Sequence, residues 1–450
     1  MDAAAPRRSA AAGRPRATSD ALARCRALIR ERGEASSAAA ALVALDAVRV
    51  LDTPAREAFI DALAHEFSPD PTAVLAAAQA YHADATPHHL QRLQDVAEPA
   101  RQELFRRLNM APGGTAALVA LRTHVLDGLG RKPAWRAVDA DLLHLLRSWF
   151  NRGFLELRRI DWRTSAIVLE KLIAYEAVHA IAGWDDLRRR LQADRRCFGY
   201  FHRQLPDEPL IFIEVALTRT MSSRVQPLLD VRAPIAGDDA ANCAMFYSIT
   251  NCQDGLRGIS FGNFLIKQVA QDLRAELPRL RRFATLSPIP GFRDWLGAQR
   301  EKLQGGRHGA ELRALLARID NPLSPSDWAR GEAGAAAEAL LMPLCAYYLV
   351  HGRRGGRGEA GGEPLDPVAR FHLSNGAVLE RLNWLGDTSP AGMQRSCGIM
   401  VNYVYRLAEV EHNHELYANK RRVLASKSAE HQAALGAELL GLAHGQGASH

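Results

Sequence analysis

The sequence predicts an α+β chain, an all-helical N-terminal part followed by an α/β part with helical insertions. Three observations carry this. Apolar residues recur at helical spacing from Asp20 to about Gly153, with turn clusters between the periodic runs. After about residue 160 short, apolar, β-rich runs appear. Within them, one stretch reads strand, glycine-containing loop, helix, strand, which is an α/β arrangement.

Residues 1–19, "MDAAAPRRSAAAGRPRATS", hold four arginines and one aspartate. This composition overlaps with organelle transit peptides. Asp2 and the two prolines argue against an amphipathic helix, so the stretch is expected to be a disordered basic tail. Residues 20–153 are expected to form a helical bundle. "DALARCRALIRERG" is periodic and ends in glycine, and "DADLLHLLRSWF" (139–150) is amphipathic. Thr53-Pro54 and Asp70-Pro71 read as N-cap and first-turn pairs.

Beyond the bundle, "LIFIEVALT" (210–218) and "CAMFYSIT" (243–250) read as buried strands. "SFGNFLIKQVAQDLRAEL" (260–277) reads as a helix stopped by Pro278. Phe261, Phe264, Leu265, Val269, Leu273 and Leu277 form its buried face. "RRFATLS" comes next as a strand, then a mostly helical stretch (about 296–350) and a glycine-rich surface loop (351–364). A strand within 377–387 and a helix in "AEHQAALGAELLGLAHG" close the chain.

Composition bounds the function. The 450 residues are 47% hydrophobic and 24% charged, ordinary for a globular protein, and no apolar run approaches a membrane-spanning length. Six scattered cysteines without a CxxC pair read as reduced, mostly buried thiols. Of the net charge of +7, three units lie in the basic tail. The mild remainder argues against a nucleic-acid surface and tolerates an anionic small ligand. A bacterial-type source and a cytoplasmic location are expected from composition. The C-terminal "GASH" is not a peroxisomal signal.

Two segments hold candidate chemistry. In "TLSPIPGF" (285–292), Pro288 biases Ser287 toward extended backbone, and Pro288 and Pro290 each fix their own φ. The result is a rigid serine at the end of a strand. Without further information a structural turn is the favoured reading. In "NCQDGLRGISFGN" (251–263), glycines 255, 258 and 262 allow backbone amides near a ligand, ahead of a helix N-terminus. Arg257 to Gly262, "RGISFG", resembles the pyrophosphate loop of GNAT-type acyltransferases. Arg257 and Gly262 match that motif, and Ser260 stands where its first glycine falls. "HNHE" (412–415) is not read as a metal site, since histidines two apart do not share a helix face. A P-loop pattern is not present.

"FGYFHRQLPDEPLIFIEVALT", "FYSITNCQDGLRGISFGNFLIK", "TLSPIPGF", "ARFHLSNGAVLERLNWLGD" and "SCGIMVNYVY" together resemble the malonyl-CoA decarboxylase family, in one order over about residues 145–420. The resemblance implies a helical N-terminal domain that builds a homo-oligomer, dimer or tetramer, and a GNAT-like catalytic domain over 154–450. It implies the conversion of malonyl-CoA to acetyl-CoA and CO2. It places the catalytic serine at Ser287, the catalytic histidine at His372 and a supporting lysine at Lys171. It places malonyl-CoA on Arg257, Gly258, Ile259, Ser260, Phe261, Gly262 and Asn263, with Ser287 and His372. Some members carry an acidic residue where this chain has Ser260.

Neither a metal nor any other cofactor is expected, because the thioester is itself the electron sink. The expected partners are malonyl-CoA and acetyl-CoA, with no nucleic acid and no membrane. His372 is expected to protonate C2 as an imidazolium near neutral pH. Ser287 is expected to engage the carboxylate or relay a proton. Asn375 is expected to orient the ring or donate to the oxyanion. The competing reading is a GNAT-type acyltransferase that passes an acyl group to an amine.

Overall fold

A computed structural model of the chain describes residues 9–237, 240–259, 261, 265–304, 308–320, 327–354 and 362–442. The chain divides into two compact units. The first comprises Met1–Glu156 with Phe201–Leu210 and Asn251–Phe261; the second holds the remainder.

The first unit contains eight described helices: α1 (Ser9–Arg30), α2 (Glu34–Arg49), α3 (Thr53–His65), α4 (Pro71–Ala83), α5 (Pro87–Ala97), α6 (Ala100–Met110), α7 (Gly114–Gly128) and α8 (Trp135–Trp149). Helix α1 starts inside the stretch expected to be a disordered tail. The caps agree closely with the sequence. The Asp70 carboxylate accepts from the Thr72 amide at 3.0 Å ahead of Pro71. At α3 the cap lies one residue earlier than expected. Asp52 accepts from the Ala55 amide at 3.0 Å, and Thr53 is already helical. Phe59, Phe105, Trp135, Leu142 and Leu146 are buried at the centre of this unit.

A seven-stranded sheet organises the second unit, with spatial order β1-β2-β3-β4-β5-β7-β6. The strands are β1 (Leu155–Ile160), β2 (Arg195–His202), β3 (Ile211–Thr218), β4 (Cys243–Asn251), β5 (Arg282–Thr285), β6 (Val378–Asn383) and β7 (Met400–Val404). Strands β4 and β5 are parallel, paired from Cys243 with Arg282 to Phe246 with Thr285. The helix Leu265–Glu276 lies between them in sequence, as a parallel pair requires. It buries Leu265, Val269 and Leu273 as expected, and also Ile266 and Ala270. Phe261 is buried ahead of it, Leu277 is half-buried beyond it, and Phe264 lies outside the described residues. Strand β7 pairs antiparallel with both β5 and β6.

Three strands escaped the sequence reading. β1 and β2 contain arginines that mask the apolar pattern. In β2, Arg195 and Arg196 are buried because Asp194 and Glu276 neutralise them at 2.9 and 2.8 Å. β7 is short and holds a buried Asn402.

One expectation is corrected. The helix Gly331–His351 is, by length and composition, apolar enough to cross a membrane. Here it packs against the helix Lys427–Leu439 and buries Leu341, Leu344, Cys345 and Leu349. All six cysteines are free thiols, five of them buried, as their spacing suggested.

Candidate active site

The end of β5 and the chain just beyond it carry Thr285 and Ser287. Ser287 donates its amide to Val401 O at 2.8 Å, and its carbonyl accepts the Val401 amide at 3.0 Å. This antiparallel bridge fixes its backbone, and Pro288 and Pro290 stiffen the turn beyond it. His372 lies in the last turn of the helix Pro367–Ser374. Asp366 caps that helix, accepting from the Val368 and Ala369 amides at 3.0 and 2.8 Å.

These segments bring His372 Nε2 to 2.9 Å from Ser287 Oγ. Ser287 Oγ donates to Thr285 Oγ1 at 2.8 Å, and the Tyr403 amide donates to the same Thr285 oxygen at 3.2 Å. With its hydrogen committed, Ser287 Oγ accepts from Nε2–H of His372. The other ring nitrogen, Nδ1, then accepts the Tyr405 hydroxyl at 2.8 Å. This tautomer is assigned from the bonding pattern. The Tyr403 ring stacks on the imidazole with centroids 4.6 Å apart and a 27° tilt. Asn402, on the opposite side of β7 from Tyr403, donates to Thr285 O at 2.7 Å and accepts from Asn383 at 2.9 Å.

The pair is almost dry. Ser287 is 5% exposed and His372 2% exposed. Burial disfavours the charged imidazole and lowers the His372 pKa to about 3. The expected imidazolium near neutral pH is therefore corrected: the free site holds a neutral ring. Burial also raises the Tyr405 and Tyr403 hydroxyls well above the ordinary tyrosine value. Both stay protonated, and Tyr405 serves equally as donor or acceptor to Nδ1. A cleft of about 710 Å³ borders Tyr405 and is walled in part by Arg274, Arg281, Arg282 and Arg406.

The other expected residues have different surroundings. The Asn375 side chain donates to Phe371 O at 2.8 Å, closing the end of the His372 helix. Tyr405 and Tyr403 contact the imidazole directly. Lys171 is half-buried on the helix Ala166–Tyr175. Arg257 is exposed and pairs with Asp254 at 3.0 Å. Gly258 has φ +81°, and Ile259 and Phe261 are buried. Ser260, Gly262 and Asn263 lie outside the described residues. Gly255 is not open to a ligand: a Cβ there would stand 2.0 Å from Val119 O, so this glycine serves packing against α7. Thr285, Tyr403 and Tyr405 were missed. Their signal was alternation, since two tyrosines two apart at the end of a strand face the same side.

A mixed sheet with parallel neighbours β4 and β5, and β7 inserted between β5 and β6, makes this an α+β protein, here with a buried Ser–His pair. The chain belongs to the malonyl-CoA decarboxylase family, a family of carboxy-lyases. Residues 67–150 match the malonyl-CoA decarboxylase N-terminal domain and residues 153–440 the C-terminal domain.

The solved malonyl-CoA decarboxylase from Rhodopseudomonas palustris is 46% identical with a TM-score of 0.85, covering 92% of this chain and 99% of that one. The solved enzyme from Agrobacterium vitis is 47% identical with a TM-score of 0.81 over the same shares. The mitochondrial malonyl-CoA decarboxylase of Anser anser anser is 38% identical over 357 residues, which is 75% of this chain and 70% of that protein.

Proposed function

We propose that this chain converts malonyl-CoA to acetyl-CoA and CO2 through a thioester enolate, with Ser287 and His372 acting on the malonyl group. The observation that carries the reading is the buried 2.9 Å contact between Ser287 Oγ and His372 Nε2. Family membership supplies the substrate. The arginine-walled cleft beside Tyr405 suits an anionic ligand.

The chemistry rests on charge balance. The neutral imidazole of the free site has no spare proton to give. A malonyl carboxylate brought beside it supplies the opposite charge that favours the imidazolium. His372 therefore takes up a proton with the substrate, at Nδ1, and the Tyr405 hydroxyl turns from donor to acceptor. The C–C bond to the carboxylate breaks, CO2 leaves, and the electron pair passes into the thioester as an enolate. Ser287 relays the Nε2 proton to C2, giving acetyl-CoA and leaving His372 neutral with its proton on Nδ1; proton exchange with solvent after product release restores the Nε2–H form. One proton is consumed per turnover, and no co-reactant is needed. The dry site favours loss of the poorly solvated carboxylate.

From the family resemblance we also carry forward, as proposals, the diphosphate-binding role of Arg257–Asn263, a supporting role for Lys171, and a homo-oligomer built through residues 20–153. Cytoplasmic placement is a proposal from composition alone.

Mass spectrometry of malonyl-CoA incubated with the purified chain tests the function. Acetyl-CoA is the expected product. Free CoA together with an acylated amine acceptor would establish an acyltransferase instead.

A further inference from the structure

We infer that Arg122, a buried residue of the helical unit, is a positioning residue for the CoA diphosphate: it aims the Gly258 amide outward as a preorganised donor. The inference rests on the proposal that the loop beginning at Arg257 takes that diphosphate.

Arg122 lies on α7 and is 2% exposed. Its Nε donates to Asp139 Oδ1 at 2.8 Å, which sets the plane of the guanidinium. Its Nη1 donates to two loop carbonyls, Gly255 O at 2.7 Å and Arg257 O at 2.8 Å. These are charge-assisted bonds, short and strong for backbone acceptors. Gly255 brings the loop close enough for them, since its Cα packs directly on the Val119 carbonyl.

The consequence for the loop is geometric. All described peptide bonds are trans, so an amide N–H points opposite to the carbonyl of the residue before it. With Arg257 O drawn to Arg122, the Gly258 N–H faces away from α7. The neighbouring amides are already committed. Leu256 donates to Gln253 O at 2.9 Å, Arg257 to Asp254 O at 3.0 Å and Ile259 to Leu256 O at 3.0 Å. The Gly258 N–H has no partner among the described residues. The φ of +81° at Gly258 favours glycine, and a Cβ there would meet nothing within 4 Å. An unpaired amide held at a fixed angle in a tight turn is a donor for an anionic oxygen. Arg122 thereby supports the donor without touching the ligand.

The test compares Arg122→Lys with the parent on malonyl-CoA and on malonyl-pantetheine, which lacks the nucleotide and the diphosphate. Lysine keeps the charge but lacks the forked geometry that reaches Asp139 and both carbonyls together. The KM for malonyl-CoA should rise about tenfold relative to that for malonyl-pantetheine, with kcat on malonyl-CoA near parental. Equal losses on both substrates, or no change in a folded variant, would overturn the inference. Should Arg122→Lys fail to fold, Asp139→Asn frees the guanidinium and should move the same ratio in the same direction; an unmoved ratio there also overturns it. Calorimetry with acetyl-CoA separates this inference from the decarboxylase reading. A parent that binds acetyl-CoA but turns over neither substrate refutes the reaction, while weaker acetyl-CoA binding by Arg122→Lys still supports the role of Arg122.

Discussion

The Tyr405 hydroxyl lies 2.8 Å from Nδ1 of His372, on the opposite edge of the ring from Ser287. It holds the ring at the nitrogen where the proposed mechanism adds a proton. Tyr405→Phe removes that bond and leaves Nδ1 buried without its partner. We expect kcat to fall about tenfold to a hundredfold with little change in KM, because a buried ring nitrogen loses its hydrogen bond. Steady-state kinetics with a thermal melt would check this. Near-parental kcat in a folded variant would show that the hydroxyl is dispensable.

Ser287 and His372 should separate kinetically. His372→Asn removes the proton donor and should lower kcat by about 10²–10⁴-fold. Ser287→Ala removes the relay but leaves the ring, so kcat should fall while the pH dependence of the remaining activity persists. Both variants should still bind acetyl-CoA in a calorimeter. A folded His372→Asn enzyme with parental kcat would reduce the histidine to a core residue.

Binding should be linked to protons. The free ring, lowered to about 3, is neutral at pH 7, and the proposed mechanism charges it when a malonyl carboxylate arrives. Calorimetry in two buffers of different ionisation enthalpy should report net uptake approaching one proton when a non-decarboxylating malonyl thioester analogue binds. Acetyl-CoA, which lacks the carboxylate, should bind without that uptake. Equal proton linkage for the two ligands would count against His372 as the acceptor.

The same burial predicts acid sensitivity. The folded pKa of His372 is lowered from 6.5 to about 3, so between these values the unfolded chain binds more protons and stability falls as pH drops. By pH 4.5 this one residue should cost about 3 kcal/mol. His179, lowered to about 4 by its own burial, steepens the trend. His372→Gln should therefore lose less melting temperature than the parent between pH 7.5 and pH 4.5. Parallel pH profiles for parent and variant would contradict the linkage.

Activity should be insensitive to chelation. The thioester accepts the electron pair, so the mechanism asks for no Lewis acid. Turnover after EDTA treatment should equal the untreated rate, without ATP. Loss of activity restored by a divalent ion would require a different mechanism.

Part of this molecule is legible without coordinates because its signals are local. Asp70-Pro71 marks a helix start because cap and ring act within one turn. The short apolar, β-rich run "LIFIEVALT" marks a strand buried on both faces. Pro288 and Pro290 mark a stiff serine because proline restricts its own φ and its neighbour's geometry. Ser287 and His372 themselves were found by resemblance, since each alone reads as a turn and as a core histidine.

The tertiary structure decided whatever depends on contacts distant in sequence. Ser287 and His372 are 85 positions apart, and only the joining of β5, β7 and the Pro367–Ser374 helix places them at 2.9 Å. Tyr405 reaches Nδ1 of His372 because the side of a sheet that a strand-end residue faces is set by pairing register. The protonation state of His372 was inverted by burial, a property of everything packed around the ring. Gly255 likewise changed meaning: the apparent room for a ligand is the space in which the Val119 carbonyl sits. Residue type and spacing determined which groups this protein could use; packing determined their charge, their partners and the direction in which they point.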